Sequence, residues 1–90
     1  MRKVDFTKLP CDTVDGHIEE VNFSKVIGKV LFNLSEDPGE GKFSQRVWES
    51  EGEIEMSDYE ESVLRKYMYC FKYVIQTGIA RMLGIDIENK

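Results

Sequence analysis

One histidine, two cysteines and a dense run of carboxylates are the residues of this 90-residue chain that could do chemistry. His17 directly follows Asp15-Gly16. Both of those residues tolerate the positive φ that a tight hairpin turn demands, so the imidazole is expected at an exposed turn. A general base needs an orienting partner and a cleft, and neither is visible around His17. Cys11 stands beside Pro10, and Cys70 lies far along the chain with no metal-type spacing to it. A nucleophilic cysteine needs a helix N-terminus or a nearby cation to lower its pKa. Lys8 is a cation that could lie near Cys11, whereas Cys70 reads as a small core hydrophobe on the flank of a helix. Two lone cysteines suit a reducing cytosol, and both thiols are expected to be free.

The carboxylates invite a metal reading. Glu49, Glu51, Glu53, Glu55, Ser57 and Glu60 fall at positions 1, 3, 5, 7, 9 and 12 of a twelve-residue window. That is the ligand spacing of a calcium loop, but the loop needs Gly at its sixth position, where Ile54 stands, and short Asp or Asn side chains early on. Ser57-Asp58-Tyr59-Glu60 is also a capping box, Ser at the N-cap and Glu three residues later, which explains Ser57 and Glu60 without a metal. The stretch therefore reads as a solvated acidic connector that places negative charge at a helix N-terminus. No metal or cofactor is expected. Gly39-Glu40-Gly41-Lys42 resembles a phosphate loop only in part, since Phe43 follows the lysine where Ser or Thr is required; it reads as a turn.

Aromatic and basic residues interleave from Arg65 to Tyr73. In a strand this could be a base-stacking platform, but the helical period is too strong. On a wheel of 3.6 residues per turn, Tyr67 and Phe71 fall on the core face. Tyr69 and Tyr73 fall opposite, and Gln76 and Ala80 continue their line. Tyrosine is enriched at interfaces, so Tyr69, Tyr73, Gln76 and Ala80 form a candidate contact stripe.

The elements that would hold these residues follow from pattern and punctuation. Residues 2–23 read as a β-hairpin turning at Asp15-Gly16, with Pro10 restricting its strand to an edge or a bulge. Asn22 or Ser24 can cap a helix in which Val26, Ile27, Val30, Leu31 and Leu34 share a face and Phe32 points away. The pattern stops at a loop over 37–41. Phe43, Val47 and Trp48 predict a short second helix ending near Gly52. Glu53–Met56 alternates as a third short strand or an extended link. The last helix is predicted from Asp58 to Leu83, with core residues at Leu64, Met68, Phe71, Ile75, Ile79 and Met82 and with Gly84 as its C′ residue. At about 26 residues it would be about 39 Å long and overhang a domain of roughly 31 Å diameter. A partner chain, or Ile85 and Ile87 of the tail, would have to cover the overhang. The fold class is α+β: a hairpin packed against two or three helices with a long C-terminal helix, in a single domain over residues 1–90 (hairpin 2–23, helical part 24–84, tail 85–90).

Composition bounds the rest. Seventeen Asp and Glu against twelve Lys and Arg give a net charge of −5, with 41% hydrophobic and 32% charged residues. These are the proportions of a globular domain rather than a disordered chain. The acidic balance and scattered bases argue against nucleic-acid binding. No apolar h-region follows Met1-Arg2-Lys3, and the stretch from Tyr67 to Ile79 is broken by Lys72 and Gln76, so no membrane span is expected and the location is expected to be cytoplasmic.

Two segments carry a resemblance. Val21-Asn22-Phe23-Ser24-Lys25-Val26-Ile27-Gly28, leading into an apolar helix, and Gly52-Glu53-Ile54-Glu55-Met56-Ser57-Asp58-Tyr59-Glu60-Glu61, leading into the last helix, together resemble small uncharacterised proteins of tailed phages and prophages. That resemblance implies a small structural or assembly role and carries no catalytic residue. The functional expectation is a non-catalytic protein-interaction module, self-associating, with a homo-oligomer or another protein as partner. The alternative is an acidic inhibitor or nucleic-acid mimic that binds a basic partner through the seven carboxylates from Glu49 to Glu61. A small enzyme using Cys11 or His17 would need a pocket that ninety residues leave little room for.

Overall fold

The computed structural model describes residues 2–86 and shows an α+β fold. Its order is β1 (Arg2–Val4), a 3-10 turn (Phe6–Lys8), β2 (Leu9–Asp12), β3 (Ile18–Val21), α1 (Ser24–Leu34), α2 (Pro38–Glu49), β4 (Ile54–Met56), α3 (Asp58–Tyr67), a second 3-10 turn (Met68–Cys70) and α4 (Tyr73–Leu83). The described residues form four α-helices rather than two or three.

The strands form two separate two-stranded antiparallel ribbons. The hairpin is shorter than the expected 2–23: β2 pairs with β3, with Leu9 opposite Val21 and Asp12 opposite Ile18. Gly16 in its turn takes φ 87°, the left-handed conformation glycine adopts without strain. The first strand leaves the hairpin and pairs instead with β4, Arg2 opposite Met56 and Val4 opposite Ile54. Glu53–Met56 is thus a strand over its last three residues, tied to the start of the chain.

The expected loop over 37–41 is the first turn of α2. Asp37 is its N-cap, accepting from the Glu40 amide at 2.9 Å, and Pro38 opens the helix, where its missing N–H costs nothing. The Glu40 carboxylate reaches back to the Glu36 amide at 2.9 Å. The capping box at Ser57 and Glu60 closes in both directions, at 3.2 and 2.9 Å.

The predicted long helix divides in two. After α3 the chain makes the 3-10 turn, extends through Phe71 and Lys72, and restarts at Tyr73. The Gln76 side-chain Nε2 donates to the Phe71 carbonyl at 2.8 Å and pins the break. The break lets α4 lie on the hairpin instead of overhanging it. Gly78 faces Leu9 and Cys11 so closely that a Cβ would stand 2.6 Å from Leu9 Cγ. Gly84 ends α4 at φ 69°, as its place in the sequence predicted. Ile85 packs partly buried against the core, whereas Ile87 lies outside the described residues.

The core joins Phe6, Leu9 and Cys11 to Ile27 and Leu31 of α1, Phe43 and Val47 of α2, Leu64 of α3, and Ile75 and Ile79 of α4. Each such side chain, fully buried, contributes about 1.5–3 kcal/mol of transfer free energy. Met68 and Phe71 are buried as the wheel required, and Met82 is half-buried. No helix among the described residues is long and apolar enough to cross a membrane.

Candidate functional site

The residues singled out in the sequence do not converge. His17 is exposed at the hairpin turn, its Nε2 3.8 Å from Asp15 Oδ2. Cys11 is buried on β2, because it alternates inward with Leu9. Burial pushes its thiol pKa up, and the Arg81 charge only partly offsets this. Cys70 is the exposed thiol, a reversal of the expected order. It sits on the 3-10 turn, whose departure from helical geometry turns it out of the core face.

The acidic window is dispersed in the same way. Glu60 is taken up by the Ser57 cap and by an ion pair with Arg46. Its burial favours the neutral acid, but the Ser57 amide and Arg46 outweigh that and hold its pKa below the usual carboxylate range. Glu61 pairs with Arg2 at 2.9 Å and with Arg65 at 3.3 Å. Among the described residues no three His, Cys, Asp or Glu side chains are grouped to hold a metal ion.

The proposed stripe on one helix is corrected by the break. Tyr69 belongs to the 3-10 turn and Tyr73 to α4; they are 50% and 69% exposed. Gln76 is half-buried and spent on the Phe71 carbonyl. Ala80 is only 4% exposed, because α4 turns that face towards the core. Tyr73 instead joins Val14, Val21 and Val74 around a cleft of about 380 Å³ between the hairpin and the start of α4, with Glu19 on its wall.

A polar cluster that sequence reading missed ties α2 to α3. The Tyr67 hydroxyl donates to Glu40 Oε1 at 2.7 Å and approaches Glu36 Oε1 at 3.2 Å. Lys66 Nζ reaches Glu36 at 2.7 Å and Glu40 at 3.2 Å. The Glu40 bond and burial push the Tyr67 phenol up to about 12. The Lys66 and Tyr67 bonds hold Glu36 below the usual range, and the Tyr67 and Glu36-amide bonds do the same for Glu40. These bonds join α2 to α3, so the cluster braces the two helices.

The most distinctive surface lies between α1 and α2. These antiparallel helices approach so closely that a Cβ on Gly28 would fall 2.6 Å from Trp48 Cβ and 2.7 Å from Trp48 Cα. Phe32, the residue that pointed away from the α1 core face, is 52% exposed. Trp48, one of the residues that predicted α2, is 48% exposed because Phe43 and Val47 take the inward positions of that helix. The two rings wall a cleft of about 350 Å³ floored by Gly28 and Ser44, with Lys29 and Glu49 on its rim. Lys25 Nζ lies 3.7 Å from the centre of the Trp48 ring and donates to the Trp48 carbonyl, which fixes that wall in place. Half-exposed aromatics on rigid elements are typical anchors of protein contacts. Compared with protein-family models, with curated proteins and with solved structures, the chain matches none.

Proposed function

We propose that the chain is a non-catalytic protein-interaction module that self-associates through the α1–α2 cleft. The observation that carries this reading is the pairing of two half-exposed aromatic walls with a rim of opposite charges. Lys29 and Glu49 flank the cleft beside the Gly28–Trp48 contact, on opposite helices, and neither has an ion-pair partner among the described residues. A closed dimer uses one patch twice. With a two-fold axis running along the cleft, α1 of one copy faces α2 of the other. Lys29 then stands opposite the partner copy's Glu49, and each Trp48 ring lies over the other copy's small-residue floor. The resemblance to small phage proteins implies an assembly role, which self-association suits.

Charge exchange tests the arrangement. Lys29→Glu alone and Glu49→Lys alone each place like charges across the axis and should weaken association. Mixing the two variants restores both pairs and should give a heterodimer at wild-type concentration. Equal masses for wild type, single variants and mixture in light scattering would refute the proposed axis. The alternative, an acidic inhibitor acting through Glu49–Glu61, is less well supported, because Glu60 and Glu61 are already held by Arg46, Arg2 and Arg65.

A further inference from the structure

The hairpin has one closed edge and one open edge. Thr13 N donates to the His17 carbonyl at 2.9 Å, which sets the phase of the ladder. Antiparallel pairs alternate, so Cys11 and Glu19 exchange hydrogen bonds, while Pro10, Asp12, Ile18 and Glu20 aim their backbone groups outward. On β2 those outward groups, the Asp12 carbonyl excepted, are satisfied by α4. Arg81 donates to the Pro10 carbonyl at 2.8 Å, Asp12 N donates to Thr77 Oγ1 at 3.0 Å, and Pro10 has no N–H to leave open. On β3 the amides and carbonyls of Ile18 and Glu20 have no partner among the described residues.

The side chains of this open edge read apolar-acidic-acidic-apolar: Ile18, Glu19, Glu20, Val21. Glu19 and Glu20 are exposed and form no ion pair among the described residues. A second copy does not fit here. The two antiparallel registers that keep three residues of the strand paired place Glu19 opposite Glu19 or Glu20 opposite Glu20, and like charges directly opposite are destabilising; the third, centred on Ile18, pairs only that one strand residue. This edge is closed to its own kind, as exposed edges commonly are, yet open to the opposite charge.

We propose that β3 accepts an extended segment of a partner protein as an added strand, and that this segment carries two consecutive basic residues flanked by apolar ones. Backbone bonds to Ile18 and Glu20 hold the strand, as in other cases of strand addition. The basic pair stands opposite Glu19 and Glu20. Side chains opposite Glu19 and Val21 project, by the two-residue period, to the face that carries the cleft walled by Tyr73 and Val74. The edge is separate from the α1–α2 cleft, and this inference stands whether or not the chain dimerises there.

The test uses isotope-labelled protein and the synthetic peptide acetyl-Thr-Val-Lys-Lys-Val-Thr-amide at low salt, followed by amide chemical shifts. Binding should move the amides of Ile18–Val21 and slow exchange at Ile18 and Glu20. The same peptide N-methylated through its Val-Lys-Lys-Val core keeps its charge but cannot form the ladder, and should not bind. Glu19→Lys with Glu20→Lys should weaken binding about tenfold or more. Ile18→Pro removes an outward N–H without touching the β2 ladder, and should also weaken it; circular dichroism confirms that each variant is folded. Three results would overturn the proposal: no shifts at millimolar peptide, equal binding of the N-methylated peptide, or concentration-dependent shifts at Ile18–Val21 without peptide, which would make a second copy the occupant.

Discussion

Gly28 and Gly41 sit on facing helices, and replacing each by alanine should move stability in opposite directions. A Cβ on Gly28 would fall 2.6 Å from Trp48 Cβ and 2.7 Å from the Trp48 backbone, against an ordinary contact of 3.4–4 Å. Backbone cannot rotate out of the way, so α2 must retreat by up to about 1 Å, the kind of overpacking that costs about 1–3 kcal/mol. Alanine returns about 1 kcal/mol of helix propensity, leaving Gly28→Ala destabilised by about 0–2 kcal/mol. At Gly41 the nearest atom is Phe32 Cε1 at 4.0 Å. Nothing opposes the propensity gain there, so Gly41→Ala should be stabilised by up to about 1 kcal/mol. In a chain of this size that difference separates the two melting temperatures by several degrees, at about 4–8 °C per kcal/mol. Urea and thermal unfolding followed by circular dichroism measure both. Trp48 emission should also shift in folded Gly28→Ala, because the wall of the cleft moves, and should stay put in Gly41→Ala. Equal stabilisation of the two variants would refute the close helix contact, and with it the geometry of the cleft.

Two further predictions follow from buried and exposed groups. A thiol reagent should modify Cys70 rapidly in the folded protein and leave Cys11 protected until the hairpin separates from α4; the reverse order would restore the unbroken helix. Stability should fall at both pH extremes through the Tyr67 cluster. Glu36 and Glu40 have folded pKa values below 4.5, so their contribution is present above about pH 4.5 and is lost as pH falls further. The Tyr67 phenol rises from 10 to about 12, so its contribution is full below pH 10 and is lost as pH climbs through that window; Lys66, whose pKa is raised above it, stays charged in the folded protein there and its own contribution begins to fall above 10.5. Tyr67→Phe should flatten both limbs of a melting-temperature profile; a profile parallel to wild type would show that the brace does not form.

Local rules were legible where one residue type has one physical use. Ser57 with Glu60 marked a helix start, Gly84 a helix end, and Asp15-Gly16 a hairpin turn. Asp37-Pro38-Gly39-Glu40 obeyed the same capping rule, but its Pro and Gly disguised it as a loop; Asp at the N-cap, Pro at N1 and Glu three residues on were the signal. The break before α4 was illegible for a different reason. Met68, Phe71 and Ile75 keep three- and four-residue spacing through the 3-10 turn, so apolar periodicity reads a broken helix as a whole one. Tyr69, Tyr73, Gln76 and Ala80 were aligned on that false cylinder. The pairing of β1 with β4 joins residues about fifty positions apart and leaves no local trace. At the cleft, Phe32 betrayed itself by standing off the α1 core face. Trp48 did not, since adjacent Val47 and Trp48 could each have been the inward residue.

Trp48 is the only tryptophan of the chain and a wall of the proposed contact, so its emission across a dilution series tests self-association most directly. A dimer seats four half-exposed rings, burying on the order of 400 Å² of ring surface. That is roughly 10 kcal/mol of transfer free energy, largely offset by lost translational and rotational freedom, which places dissociation in about the micromolar range. Raising the concentration from nanomolar to hundreds of micromolar should shift the emission to shorter wavelength and double the mass measured by light scattering over the same interval, and Phe32→Lys should abolish both changes while the fold is kept. A monomer with unshifted emission at the highest concentration would contradict the account.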